Sequence, residues 1–151
     1  MCAILDANVA SIVFGPASPP AAQEFRKWIE SGRGRLVIGG LLRKELAASK
    51  TSRLWLQQAL LSGRAKSVSD ELVDRETEQL AVEDSCTSND QHVLALALIS
   101  GARLLYSRDR SLVRDFTDPA LLKKPRGKVY PENQGAGCRR WLLRQSNLCA
   151  T

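Results

Sequence analysis

Very short, wholly apolar runs, each closed by an acid, a glycine pair or a polar turn, constrain this chain more than any other feature. Ala3-Ile4-Leu5 ends at Asp6, Leu36-Val37-Ile38 at Gly39-Gly40, and Leu104-Leu105-Tyr106 at Ser107-Arg108-Asp109. Runs without polar alternation suit strands buried on both faces, as in a parallel sheet. Ala65 to Val68 reads as another short strand, and Lys128-Val129-Tyr130 as an edge strand stopped by Pro131. Helical segments separate them: Asn8 to Phe14, Ala21 to Ser31, Leu41 to Ser49, Ser52 to Leu61, Asp70 to about Asp84, Gln91 to Ser100, and Ser111 to Phe116. Phe25, Trp28 and Ile29 share one face of the second of these. Ser69, followed by acids, reads as an N-cap. Strands alternating with helices predict a three-layer α/β/α fold with a central, mostly parallel sheet of about four or five strands.

A chain of 151 residues fits one domain with a sizeable core. No apolar run approaches the roughly 20 residues that span a bilayer. The opening segment lacks a basic leader, so neither membrane association nor a signal peptide is expected. Cys2, Cys86, Cys138 and Cys149 show no Cys-x-x-Cys spacing, and His92 is the only histidine. A zinc site therefore lacks ligands, and reduced thiols in a cytoplasmic protein are expected. Net charge is +6, unevenly placed. Basic and acidic residues balance up to Asp118. Beyond it stand Lys123, Lys124, Arg126, Lys128, Arg139, Arg140 and Arg144 against Glu132 alone. Such a tail suits a polyanion such as RNA, or simply a solubilising face.

Four acids, Asp6, Glu45, Asp90 and Asp109, fall where a strand ends or a helix begins. A lone charge beside a buried sheet is costly to desolvate. Carboxylates become tolerable there if they converge and share a hard divalent cation. In open parallel sheets the carboxyl ends of the strands form the binding crevice, which Asp6 and Asp109 can both reach. Taken singly, Asp6, Asp90 and Asp109 also read as N-caps, and Glu45 as a solvated helix residue. Together they suit phosphodiester hydrolysis, in which Mg²⁺ or Mn²⁺ activates water and neutralises the leaving oxygen. Asp6 and Asp109 are the best direct ligands; Glu45 and Asp90 bind directly or through water, and any of the four can act as general base. Two such charges in contact repel by roughly 4 kcal/mol at an effective dielectric of 20. Without metal, at least one carboxylate should titrate high.

The words around these acids resemble one family. Ile4-Leu5-Asp6-Ala7-Asn8-Val9 is similar to the opening strand and acid of a PIN domain, and Lys44-Glu45-Leu46 to its second acidic position. Asp90-Gln91-His92-Val93-Leu94-Ala95-Leu96-Ala97, then Gly101-Ala102-Arg103-Leu104-Leu105-Tyr106-Ser107-Arg108-Asp109, resembles its closing signature. The resemblance covers residues 3 to 130. It implies a metal-dependent ribonuclease, often a homodimer, of the kind found in VapC-like toxins that a small antitoxin protein neutralises. Asp6, Glu45, Asp90 and Asp109 would then be the acidic quartet, supported by Asn8 and Ser107. The expected division is a PIN-like nuclease domain over 1–131 and a basic extension over 132–151.

Other residues carry paired expectations. Arg108 and Arg110 can hold a phosphate or close internal salt bridges. Lys123, Lys124, Arg126, Arg139 and Arg140 are candidate RNA contacts. Asp115 is an outside candidate for a ligand, and otherwise a cap or a solvated acid. His92 reads as a hydrogen-bonded packing residue rather than a general base. Trp28 and Trp55 are expected in the core. Trp141, beside two arginines, either stacks on a base or packs the tail against the domain or a dimer partner. The competing function is an inert PIN-like module that binds RNA or a protein through its tail. A phosphotransfer domain is disfavoured, because Asn8 stands where a second acid would be needed. No phosphate-cradling G-x-x-x-x-G-K loop is present.

Overall fold

The computed structural model describes residues 2–145. Its elements run β1 (Cys2–Leu5), α1 (Ala7–Phe14), α2 (Pro20–Glu30), β2 (Arg35–Ile38), α3 (Gly40–Ala47), α4 (Lys50–Leu61) and β3 (Ala65–Ser67). They continue with α5 (Asp70–Glu83), α6 (Gln91–Ser100), β4 (Leu104–Tyr106), α7 (Arg110–Thr117), β5 (Lys128–Val129) and α8 (Ala136–Leu143). The five strands form one sheet in the order β3-β2-β1-β4-β5, and every pairing is parallel. Helices on both faces complete the three layers expected of α/β/α.

Sheet order follows from burial. β1 lies in the middle, with Ala3, Ile4 and Leu5 sealed from solvent, and pairs with β2 on one side and β4 on the other. The chain builds outward from β1 through β2 to β3, then crosses back to place β4 against its free edge. That reversal puts the topological switch between β1 and β4, where a crevice opens at the strands' carboxyl ends. Asp6 follows β1 and Ser107 follows β4, so both land at its mouth.

The helix α6 shows how this sequence codes for position. His92 through Ala97 are all buried, so no polar face is needed, and the helix sits against β2, α3 and α5. Gly40 opens α3 with a positive φ of 60°, and a Cβ there would lie 2.7 Å from Val73 Cγ1. Glycine lets α3 and α5 approach. Phe25, Tyr106 and Tyr130 form an aromatic cluster under β4 and β5, with ring centroids 4.7 to 5.1 Å apart. Each such pair contributes roughly 0.5–1.5 kcal/mol beyond its area. Burial raises both tyrosine phenols well above their ordinary range.

The extension beyond residue 131 folds back onto the domain as α8. Leu142 and Leu143 join the core, and the Trp28 indole N–H donates to the Leu143 carbonyl at 3.1 Å. Arg139 is buried and grips both Glu24 carboxylate oxygens, at 3.0 and 3.1 Å. It also donates to the Gln134 carbonyl. Arg139, expected among the RNA contacts, thus has its donors engaged inside the protein. Trp141 is corrected in the other direction: it is 63% exposed and does not pack against the domain. Trp28 is in the core, and Trp55 stacks on Phe14 at 4.2 Å, as expected.

Cys86 and Cys138 are free thiols. Cys2 is disulfide-bonded, contrary to the expectation of reduced thiols; cysteines remote in sequence carry no local spacing signal for pairing. Cys149 lies outside the described residues. No helix among the described residues is long and apolar enough to cross a membrane.

The Glu24–Arg139 pair yields a stability prediction. The Arg139 hydrogen bonds hold Glu24 below its ordinary carboxyl value of 4.5 against the opposing effect of burial. The pair's contribution is therefore complete above pH 4.5 and disappears as pH falls through the lowered folded value. Glu24→Ala, which strands a buried guanidinium, should cost roughly 1–3 kcal/mol in urea unfolding at pH 7. The deficit should narrow toward pH 3. An equal deficit at both pH values would contradict the assignment.

Candidate active site

Three of the four predicted acids meet at the switch point. Asp6 is 7% exposed and follows β1 as the N-cap residue of α1; its amide donates to the Tyr106 carbonyl at 3.0 Å, tying β1's end to β4. Its Oδ2 accepts the Ser107 hydroxyl at 2.6 Å, and Ser107 Oγ also accepts the Asp109 amide at 3.1 Å. Ser107 thus joins the ends of β1 and β4 and fixes the Asp6 carboxylate. Asp90 precedes α6, and its amide donates to Ser88 Oγ at 3.3 Å. Asp109 precedes α7.

The capping alternative separates these acids. Asp109 is a working cap, with Oδ1 accepting the Ser111 and Leu112 amides at 3.0 and 3.2 Å. Asp6 and Asp90 occupy cap positions yet make no side-chain cap bond. Their carboxylates are left for something other than the helix. Asp90's carboxyl is held above its ordinary range, first by burial, then by the Asp6 charge and by contact with the Asp109 carboxyl. One carboxylate of the set is thus raised, by burial in the crevice first and by its acidic neighbours second.

Glu45 approaches from α3. Its Oε1 lies 2.6 Å from His92 Nε2. That contact lacks hydrogen-bond directionality, and Oε1 is buried with no other polar partner. His92 is buried as a packing residue on α6, two positions from Asp90, so it links Glu45 to the cluster. Asn8, expected to support the acids, is exposed on α1 and hydrogen-bonds to none of them.

Asp115 is not a ligand candidate. It is 2% exposed, and its two oxygens accept the Thr87 amide, the Thr87 hydroxyl and the Ser88 amide at 2.7 to 3.0 Å. Burial alone would raise its carboxyl; those donors outweigh it and lower it. Asp115 clasps the segment that presents Asp90, a role that spacing along the chain could not reveal. A second missed residue is Glu132. It accepts Tyr106 Oη at 2.7 Å and the Arg108 guanidinium at 2.7 and 3.2 Å. Of the two expected phosphate contacts, Arg108 is thereby engaged in a salt bridge, while Arg110 is exposed with no side-chain partner. Lys123, Lys124 and Arg140 are also exposed, and Arg126 donates to the Thr117 carbonyl at 2.8 Å.

The chain matches the family model described as PIN domain over residues 3–115. It belongs to the PIN domain family. PIN domains are in general nucleases that use divalent metal ions. Neither the curated proteins nor the solved structures gave a significant match. Among the described residues of this PIN domain, no three Asp, Glu, His or Cys side chains already stand as a ready ligand set. The donor chemistry nevertheless fits a hard cation. The acids offer oxygen alone, Glu45 keeps a buried oxygen without a directed partner, and Asp90 is raised by burial and by its acidic neighbours, an effect that positive charge would oppose.

Asp115→Ala removes the clasp from Thr87 and Ser88 and leaves the buried Ser88 amide unpaired. The expected loss is roughly 1–3 kcal/mol, with faster hydrogen exchange concentrated in residues 85–90. Unchanged exchange in that segment would count against the clasp.

Proposed function

We propose that this PIN domain is a metal-dependent endoribonuclease that hydrolyses single-stranded RNA. The observation that carries the reading is the gathering of Asp6, Asp90 and Asp109 at the sheet's switch point, where burial first, and then the neighbouring Asp6 and Asp109, raise Asp90. A fold gains no stability from crowding like charges, so the arrangement suits a cationic ligand.

Asp6, Asp90, Asp109 and Glu45 would hold Mg²⁺ or Mn²⁺. When bound, such an ion lowers the pKa of its water and neutralises charge on the leaving oxygen. The protein's own contribution is positioning. Ser107 holds Asp6 through Oδ2, and Oδ1 takes no protein hydrogen bond. The caps on α7 turn Asp109 toward its own helix through Oδ1 alone. Arg110, unpaired and exposed beside Asp109, is placed to meet a phosphate. The choice of RNA is supported by the charge distribution, since the whole +6 excess lies beyond Asp118. Arg139 no longer counts toward that surface.

The expected result is cleavage of single-stranded RNA in Mg²⁺ or Mn²⁺ that EDTA stops. Asp6→Asn and Asp109→Asn should each lower the rate by at least about 100-fold, with melting temperature monitored to exclude unfolding. Undiminished cleavage in excess EDTA, or by a folded Asp6→Asn chain, would overturn the reading.

A further inference from the structure

Trp141 is the one tryptophan that the fold does not use. The inner face of α8 is satisfied by Leu142, Leu143 and the Arg139–Glu24 pair, so Trp141 contributes little to holding the helix. A large aromatic left 63% exposed is worth a reason, because its burial elsewhere would be favourable.

Two clefts connect it to the acids. One, of about 520 Å³, is lined among others by Ser107, Arg108, Arg110, Pro131, Glu132 and Gln134. Ser107 is the residue whose hydroxyl holds Asp6, so this cleft begins at the crevice. The second, of about 330 Å³, shares Pro131 and Gln134 and is closed by Trp141 and Leu142. The two clefts therefore adjoin at Pro131 and Gln134, which lie between the neighbourhood of Ser107 and the exposed indole. Arg110 lines the first cleft; Arg140, next to Trp141 on α8, and Arg144, just past the helix, line a neighbouring cleft beside Trp28. All three are exposed and make no side-chain ion pair or hydrogen bond among the described residues. A polar, cation-edged start and an aromatic end match a single nucleic-acid strand, whose phosphates meet the cations and whose bases stack.

We propose that Trp141 is a base-stacking platform for the RNA strand, taking a base at a fixed remove from the scissile phosphate and so setting where along the strand the acids act. The inference rests on the ribonuclease reading and names the path of its substrate. A second copy of the chain covering the indole is the rival occupant. Charge argues against it, because two such surfaces would bring Arg140 and Arg144 against their own counterparts.

The test is affinity for a short, fluorescently labelled single-stranded RNA, measured by anisotropy in Mg²⁺ with Asp6→Asn as host so that the RNA stays intact. Adding Trp141→Ala to the host should weaken binding by roughly 5- to 100-fold. Trp141→Phe, which keeps a stacking face, should restore most of it, and a duplex of the same sequence should be nearly indifferent to either change. Sedimentation of host and variants checks the rival. Equal affinity for host and Trp141→Ala would overturn the proposal, as would a loss that tracks conversion of dimer to monomer. Cleavage is not read in this experiment, so an inactive wild-type enzyme would sink the ribonuclease reading while leaving the stacking result to stand or fall by itself.

Discussion

Three carboxylates brought to a single point of the sheet are the constraint that the surrounding contacts must accommodate. Asp6, Asp90 and Asp109 arrive from three separate segments and are held close enough that burial and neighbouring charge together raise Asp90. The positive ends of α1, α6 and α7 point into the same region, since each acid occupies the position just before its helix. Three helix termini offset part of the cost, each by a fraction of a kcal/mol to about 1 kcal/mol. The Ser107 hydroxyl adds one charge-assisted hydrogen bond. These devices reduce the repulsion without removing it.

Keeping such a cluster in register requires rigid supports at some distance from it. Asp115 supplies one, by clasping Thr87 and Ser88 just ahead of Asp90. Glu132 supplies another, joining Arg108 and Tyr106 on the far side of β4. Burial works against its charge, but its partners prevail and lower it. The helix α8 anchors the 131–134 segment through Arg139 and Gln134. Acids other than the quartet thus act as structural ties, and the distinction lies in their donors: Asp115 and Glu132 are fully engaged, while Asp6 and Asp90 keep capacity in reserve.

Much of the fold was legible in the amino-acid order because its signals are local. Three-residue apolar runs, the Ser69 cap and the unbroken apolar stretch of α6 each specify their element within a few positions, and all appear where expected. The positions of Asp6, Asp90 and Asp109 were legible for the same reason, each lying just before a helix, whereas Glu45 lies within α3. What escaped was contact between residues far apart in sequence. Arg139 reads as a tail cation until Glu24, 115 positions away, is seen to hold it. Asp115 looks like a solvated acid until Thr87 and Ser88 are found against it. Nothing around residues 136–143 announces a helix, because Gly135 and Gly137 interrupt the pattern; packing of α8 on α2 stabilises it instead. Asn8, expected from the opening motif to support the acids, is exposed on α1 and reaches none of them by a hydrogen bond among the described residues.

Manganese binding tests most directly whether relief of this repulsion organises the crevice. Titrating Mn²⁺ into the RNA-free protein and following the free-ion signal by electron paramagnetic resonance should show saturable binding that Asp6→Asn or Asp90→Asn greatly weakens, while Asn8→Ala leaves it unchanged. A folded protein that takes up no manganese, or whose affinity is indifferent to both aspartate changes, would contradict the grouping of these acids around a shared ion.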